Sequence, residues 1–172
     1  MVPRQPWFQR RFSFDLPVSA AAGIIERLRG TPARLRFRLA GLTSARLVNK
    51  IGTRWSIQEN AGHLADIEPL WMERIEDVAT GAPSMHPADL DNHKTENAHH
   101  NGRDLREILD EFQTARLDMV GQLELAEATD WSRSALDSQL HSAMRLIDLA
   151  YYIAEHDDHH LATMTELLRF SA

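Results

Sequence analysis

The last long segment of the chain repeats apolar residues in steps of three and four, the spacing of one face of an α-helix. Histidines occupy two positions of this face, which comprises Leu146, Leu149, Ile153, His156, His160, Met164 and Leu167. A buried polar ring without a partner costs about 1 to 3 kcal/mol. Any fold that buries this face must therefore supply partners for both imidazoles.

Two explanations account for the histidine pair. His156 and His160 are four residues apart, so their side chains lie one above the other on a helix and can reach the same metal ion. Alternatively, each ring is an ordinary core histidine with a hydrogen bond to a neighbour such as Asp157 or Asp158. The adjacent His159 falls on a mostly polar line of the helix, so we expect it to be solvated or to lie behind the ligands.

Composition restricts the chemistry of such a site. The chain has 172 residues, of which 43% are hydrophobic, and shows no shift in composition, which predicts one domain. Because it has no cysteine, only His, Asp and Glu side chains can hold a metal, and that set suits zinc, nickel, iron or manganese. The formal net charge of -6 argues against nucleic-acid binding.

Hydropathy argues against a membrane protein. No apolar run approaches the roughly 20 residues that a bilayer-spanning helix needs, and the first residues lack the apolar stretch of a signal peptide. We therefore expect a soluble, cytoplasmic protein.

Residues 1–17 contain three prolines among aromatic residues and arginines, so we expect an arm that packs on the body. Residues 18–172 are expected to form a single helical domain. Its first helical segment is predicted to open at Ser19 and to be interrupted at Gly30. Thr31-Pro32 would then restart it as N-cap and first helical residue.

The second helical segment has the clearer start, because Ser56-Ile-Gln-Glu59 has the form of a capping box. Gly81 supplies its predicted stop. Pro69 lies inside the segment and is expected to bend the helix just past His63.

The third helical segment is predicted to begin near Asp104. Residues 82–103, between the second and third segments, have no helical or alternating pattern and form a long connection. Its four histidines are expected to be solvated: His86, His93, His99 and His100. A second connection runs from Trp131 to His141, and Ser142 is the predicted cap of the last helix.

These segments predict an all-α fold, a four-helix bundle with a crossover connection. A helix of about 25 residues is about 37 Å long, a distance that a dozen extended residues can span. Residues 82–103 can therefore carry the chain back along the bundle and set the second and third helices parallel.

Two motifs together resemble the DinB-like superfamily of four-helix metalloproteins. The first is the Trp-Ser-x-x-Glu-x-x-x-His segment from Trp55 to His63, and the second is the segment Ala154 to Leu161 with its histidine pair. The similarity covers nearly the whole chain after the arm. It implies one metal held by three histidines, one from the second helix and two from the last, which are His63, His156 and His160 here.

The superfamily includes S-transferases that use bacillithiol or mycothiol, maleylpyruvate isomerases, and proteins described only as metal-dependent hydrolases or damage-inducible proteins. The resemblance thus implies a homodimer that acts on a small molecule, with a divalent metal, zinc or nickel by preference, and a low-molecular-weight thiol cosubstrate if the chain is a transferase. Three neutral ligands would leave one metal position open, as in catalytic sites. There the metal lowers the pKa of water or of a thiol.

Glu68 interrupts the apolar stripe of the second helix and is the predicted catalytic residue, as a general base or an extra ligand. At about 100° per residue it points about 140° away from His63, so an ion-paired Glu68 is an equally good interpretation. The acceptors expected to orient the ligand rings are Glu59 and Asp66 for His63, and Asp157 for the C-terminal pair. For Glu59, the capping role alone is favoured.

Three functions remain open from the sequence. The leading hypothesis is a metal-dependent enzyme, a hydrolase or a thiol S-transferase. The second is a stress-linked metal-binding protein without catalytic turnover. The third is an oligomerisation module whose histidines are only hydrogen-bonded.

Overall fold

Four long helices make up most of the protein, which a computed structural model describes from residue 4 to residue 170. They are α1 (Ala21–Leu39), α3 (Ile57–Thr80), α5 (Leu105–Leu125) and α6 (Leu146–Phe170), with the short helices α2 (Ser44–Leu47) and α4 (His93–Asn97) in the connections. The antiparallel hairpin consists of β1 (Ser134–Asp137) and β2 (Ser142–Arg145). The predicted all-α bundle is confirmed, with this hairpin as a small addition.

Helix α1 is continuous, so the predicted break at Gly30 and restart at Thr31 are wrong. Thr31 is buried within the helix instead of capping it, and its hydroxyl donates to the carbonyl of Arg27 at 3.2 Å. The apolar face that contains Leu28 and Leu35 is fully buried on both sides of Pro32. Tertiary packing of that face therefore outweighs the local preference for a break.

Helix α3 begins and ends where the sequence predicts. Ser56 and Glu59 form both halves of the capping box, and Gly81 closes the helix in the left-handed region at φ 73°. The helix runs without interruption through Pro69.

Helices α3 and α5 are parallel. The side-chain amide of Gln58, in the first turn of α3, donates to the carbonyls of His100 and Arg103 just before α5, at 2.6 and 2.8 Å. Further along both helices, Glu68 pairs with Arg116. The segment between α3 and α5 therefore returns along the bundle, which confirms the predicted crossover. Helices α1 and α3 each pack against α5 and α6, so α1 and α3 face each other across the bundle diagonal.

The bundle core consists of two apolar clusters with a polar layer between them. One cluster is centred on Trp71 and Ile153, and the other on Phe112 and Met164. Between them, each long helix contributes one buried polar side chain to a single layer, namely Thr31, Glu68, Arg116 and Asp157. No helix within residues 4–170 is both long and apolar enough to cross a membrane.

Strand β1 lies in the segment that the sequence predicts as a connection, whereas β2 occupies residues that it predicts as the start of the last helix. Helix α6 begins at Leu146, so the predicted cap at Ser142 is wrong. The carboxylate of Asp148 instead accepts from the backbone N–H of Arg145 at 3.0 Å. Leu136 of β1 also exchanges backbone hydrogen bonds with Pro83 and Met85. Strands of only four residues show little alternation of apolar and polar side chains in the sequence. Two of the backbone partners of β1 also lie far away in the chain, so local pattern does not reveal them.

Candidate metal centre

Three histidines converge between α3 and α6. His63 lies in the second turn of α3, and His156 and His160 lie on successive turns of α6. One ring nitrogen of each lies within 4.8 Å of the others, and the Nε2 atoms of His63 and His156 are 3.4 Å apart. Ligand nitrogens held at about 2.0 to 2.1 Å in a tetrahedron are about 3.4 Å apart. The structure thus brings together the three predicted ligands at a spacing that suits one cation.

Two of the rings have their outer nitrogen held by an oxygen acceptor. Nδ1 of His160 lies 2.9 Å from Oδ1 of Asn60, and Nδ1 of His63 lies 3.1 Å from Oγ1 of Thr95. The Thr95 hydroxyl donates to Asp66 at 2.9 Å, so its oxygen is free to accept from His63. These partners assign the ring proton to Nδ1 and leave the Nε2 lone pair for a metal.

The third ring, His156, also fits a metal. It is buried, and its Nδ1 has no hydrogen-bond partner within residues 4–170. A cation placed between its Nε2 and that of His63 would satisfy two nitrogens that otherwise face each other. The donor set of three imidazoles suits zinc or nickel.

Burial keeps all three imidazoles neutral. It lowers the pKa of His63 to about 4, and it lowers the pKa values of His156 and His160 well below the usual range, with further lowering from the neighbouring rings. Neutral imidazole is the form that binds metal, so protons do not compete for the site near neutral pH.

The histidines open onto a cavity of about 380 Å³. Trp55 covers the ligands on one side, with its ring 4.8 Å from that of His63, and its Nε1 donates to Glu96 at 2.6 Å. The remaining wall comes from α3, α6, the arm, the crossover segment and the hairpin loop, which is the loop between β1 and β2. Its side chains include Trp7, Phe12, Trp71, Asp89, Gln139 and Tyr152.

The N-terminal arm lies across α6 beside the ligands. The Trp7 ring lies 5.2 Å from His156 and 5.0 Å from Tyr152. Arg10 pairs with Glu155, which anchors the arm to α6.

His159 is not among the converging rings, and its ring accepts from Arg4 at 2.9 Å. Residues 1–3 of the predicted arm and residues 171–172 of the predicted domain lie outside the described residues.

Glu68 lies in the polar layer and does not line the cavity. Both of its carboxylate oxygens accept from Arg116, at 2.6 and 3.2 Å, so the ion-paired interpretation is the one that the structure shows.

Asp157 also binds Arg116 and accepts from Thr31, which makes its predicted contact with the histidine pair wrong. Asp66 reaches His63 only through the Thr95 hydroxyl.

Three residues of the site are missed by the sequence interpretation: Asn60, Thr95 and His100. The prediction of a solvated His100 is wrong, because this ring is buried and its Nε2 lies 2.7 Å from the Asp66 carboxylate. His86, His93 and His99 are exposed, as predicted. The sequence feature that could have pointed to a buried His100 is the glycine beside His63, because the His100 ring packs directly on Gly62.

The family model of the DinB superfamily matches residues 27–164, which contain all three histidines. YfiT from Bacillus subtilis, described as a probable metal-dependent hydrolase with an unusual four-helix bundle topology, superposes with a TM-score of 0.81 and 21% identity, over 93% of this chain and 92% of that one. A mycothiol-dependent maleylpyruvate isomerase superposes with a TM-score of 0.63 and 15% identity, over 88% of this chain and 62% of that one. No curated protein matches the sequence.

Proposed function

The chain belongs to the DinB superfamily, and from this we propose that it is a metal-dependent enzyme that activates a thiol or a water molecule for reaction with a small molecule. The observation that carries the proposal is the convergence of three neutral imidazoles from two helices on the wall of a cavity. Zinc or nickel held there would keep a position open and supply the Lewis acidity that lowers the pKa of a thiol or of water.

The surrounding residues have distinct parts in this proposal. Asn60 and the pair Thr95 and Asp66 fix the ring orientation of His160 and His63. Trp7 and Trp55 cover the histidines and limit the access of bulk water. The cavity then holds the reacting molecule beside the ligands. The polar layer, with Glu68, joins the ligand-bearing helices outside the cavity.

The two structural neighbours support the two branches of the proposal. One is described as a probable hydrolase, which uses water, and the other depends on mycothiol, a thiol. In this chain, activation of water and activation of a thiol would both use the same open metal position. We therefore propose the metal centre as the common element and leave water and thiol as two arms of one experiment.

The test begins with metal stoichiometry. Protein purified without an affinity tag is stripped with a chelator and titrated with Zn²⁺ or Ni²⁺. We expect one equivalent to bind, and we expect His63→Ala, His156→Ala and His160→Ala each to weaken binding by at least about a hundredfold, since each removes one of three ligands. His86→Ala is the control, because His86 is exposed and bound to Asp77.

Turnover is then measured with and without metal in both modes: hydrolysis of 4-nitrophenyl acetate, and replacement of the chloride of 1-chloro-2,4-dinitrobenzene by a small thiol, which releases chloride and a proton. Metal-dependent rates that vanish in the three histidine variants support the proposal. Tight stoichiometric metal without turnover in either mode would contradict it and would favour the metal-binding protein. Absence of bound metal would favour the structural module.

A further inference from the structure

Aromatic rings dominate the cavity beside the three histidines. Three of the chain's four tryptophans line it, together with Phe8, Phe12 and Tyr152. A cavity of about 380 Å³ falls within the range of small-molecule sites. Flat apolar molecules gain most from such walls, because ring faces and edges pack on them in offset or T-shaped geometry.

Part of the rim of the cavity is apolar as well. Phe8 of the arm, Leu90 of the crossover and Leu140 of the hairpin loop all line the opening, and their exposed fractions are 79%, 58% and 37%. Three separate segments thus place large apolar side chains in water around one entrance. Exposed apolar side chains that gather in one place mark a binding site more often than a random surface.

The charged groups of the wall already have partners within the protein. Arg10 pairs with Glu155, and Arg74 pairs with Asp137. Asp89, the one carboxylate that lines the cavity in the described part of the chain, accepts from His93. Without a bound metal, the charged side chains of the wall that the structure describes are therefore already paired, which favours a neutral ligand in the metal-free protein.

Two buried ring nitrogens of the wall have no hydrogen-bond partner among residues 4–170, namely Nδ1 of His156 and Nε1 of Trp71. Trp71 is buried at 2% exposure and lines the cavity, yet its indole Nε1 has no hydrogen-bond partner among residues 4–170. Buried N–H groups without an acceptor are rare, because desolvation is then left uncompensated. Because Nε1 itself is closed to solvent, the indole must turn slightly toward the cavity before an acceptor atom on a bound molecule can satisfy this N–H.

We propose that the cavity selects neutral aromatic molecules that carry a carbonyl or similar acceptor, with the ring among the tryptophans and the acceptor on Nε1 of Trp71. That these molecules are substrates rests on the proposed function, whereas their binding does not require turnover.

Equilibrium dialysis with 2-acetylnaphthalene and 2-ethylnaphthalene tests the inference, on the metal-loaded and the metal-free full chain. The two probes share the ring and differ in the acceptor. In metal-free protein we expect the ketone to bind about three to ten times more tightly. Trp71→Phe should abolish this preference while retaining the hydrocarbon affinity. Trp131→Phe is the matched control, since Trp131 is buried outside the cavity.

A second pair of variants tests the rim without touching the core. Phe8→Ser should weaken both probes by about threefold or more, whereas Phe37→Ser should weaken neither, because Phe37 is equally exposed at 87% but lies on α1 away from the cavity. Failure of both probes to bind, or a ketone preference that survives Trp71→Phe, overturns the inference. Binding of the probes without any turnover supports the inference and contradicts only the proposed function. Turnover of polar substrates without binding of either probe contradicts the inference and leaves the proposed function standing.

Discussion

The ring of His100 packs directly on the backbone of Gly62. An ideal Cβ at Gly62 would lie closer than 3.0 Å to three atoms of that ring, a distance that real side chains do not reach. The same imidazole contacts Asp66, which accepts from Thr95, which in turn contacts His63. The space left by one missing methyl group therefore admits the outermost member of a hydrogen-bond chain that ends on a metal ligand.

Gly62→Ala is expected to destabilise the protein by about 1 to 3 kcal/mol, because the new methyl must displace His100 or the first turns of α3. This is opposite to the effect of alanine in an open helix position. Metal affinity should fall as well, since the chain that orients His63 is disturbed. Urea unfolding and metal titration measure the two effects.

The matched control is Gly121→Ala in α5, where nothing lies within 4 Å of the added methyl group. It should stabilise the protein by up to about 1 kcal/mol through helix propensity. Equal stabilisation by both substitutions would show that His100 does not rest on Gly62.

The oxygens of Asn60 and Thr95 hold the two outer ring nitrogens, so Asn60→Ala and Thr95→Val should each weaken metal binding by about tenfold to a hundredfold. Competition with a chromophoric chelator measures this loss. Thr163→Val is the control, because the Thr163 hydroxyl donates only to the backbone of its own helix. Unchanged affinity in Asn60→Ala and Thr95→Val would mean that the metal alone orients the rings.

The helices and the three converging histidines follow from short-range patterns. The spacing of apolar residues predicts α3 and α6, and the capping box at Ser56 predicts where α3 begins. A pair at positions four apart, such as His156 and His160, shares a helix face in any context. For this reason the bundle and its candidate ligands can be predicted from sequence once His63 is matched to the superfamily motif.

The rest depends on contacts between distant parts of the chain. Thr95 reaches His63 from a segment without periodicity, and Trp7 reaches His156 from an arm without a long helix. Pro32 is tolerated inside α1 because the buried face on both sides of it packs against the core. Local propensity contains no information on such packing, so these features could not be predicted.

Arg116 joins the two ligand-bearing helices from a third, by pairing with Glu68 of α3 and Asp157 of α6. Arg116→Met should cost about 3 to 5 kcal/mol, because it leaves two buried carboxylates without a cation. Urea unfolding at pH 7 measures this cost. Arg29→Met should cost far less, since Arg29 pairs with Glu26 and Glu124 on the surface. Similar small costs for both variants would show that the polar layer is hydrated.

The carboxyl of Glu68 should make stability depend on pH. Burial raises its pKa from 4.5 to about 7, against the opposing effect of the Arg116 guanidinium. Between these two values the folded protein binds more protons than the unfolded chain. The stabilisation is therefore complete below pH 4.5 and is lost as the pH rises through 7.

Glu68→Gln cannot titrate, so its stability relative to the parent protein should rise by about 2 kcal/mol between pH 5 and pH 8. Urea unfolding at both pH values measures this change. Glu124→Gln, an exposed substitution on α5, should shift stability by less than about 0.5 kcal/mol at either pH. A pH-independent difference for Glu68→Gln would mean that Arg116 keeps Glu68 ionised throughout. Because Glu68 does not line the cavity, the variant should also retain its metal and its turnover, and lost turnover with intact metal affinity would contradict a purely structural role for Glu68.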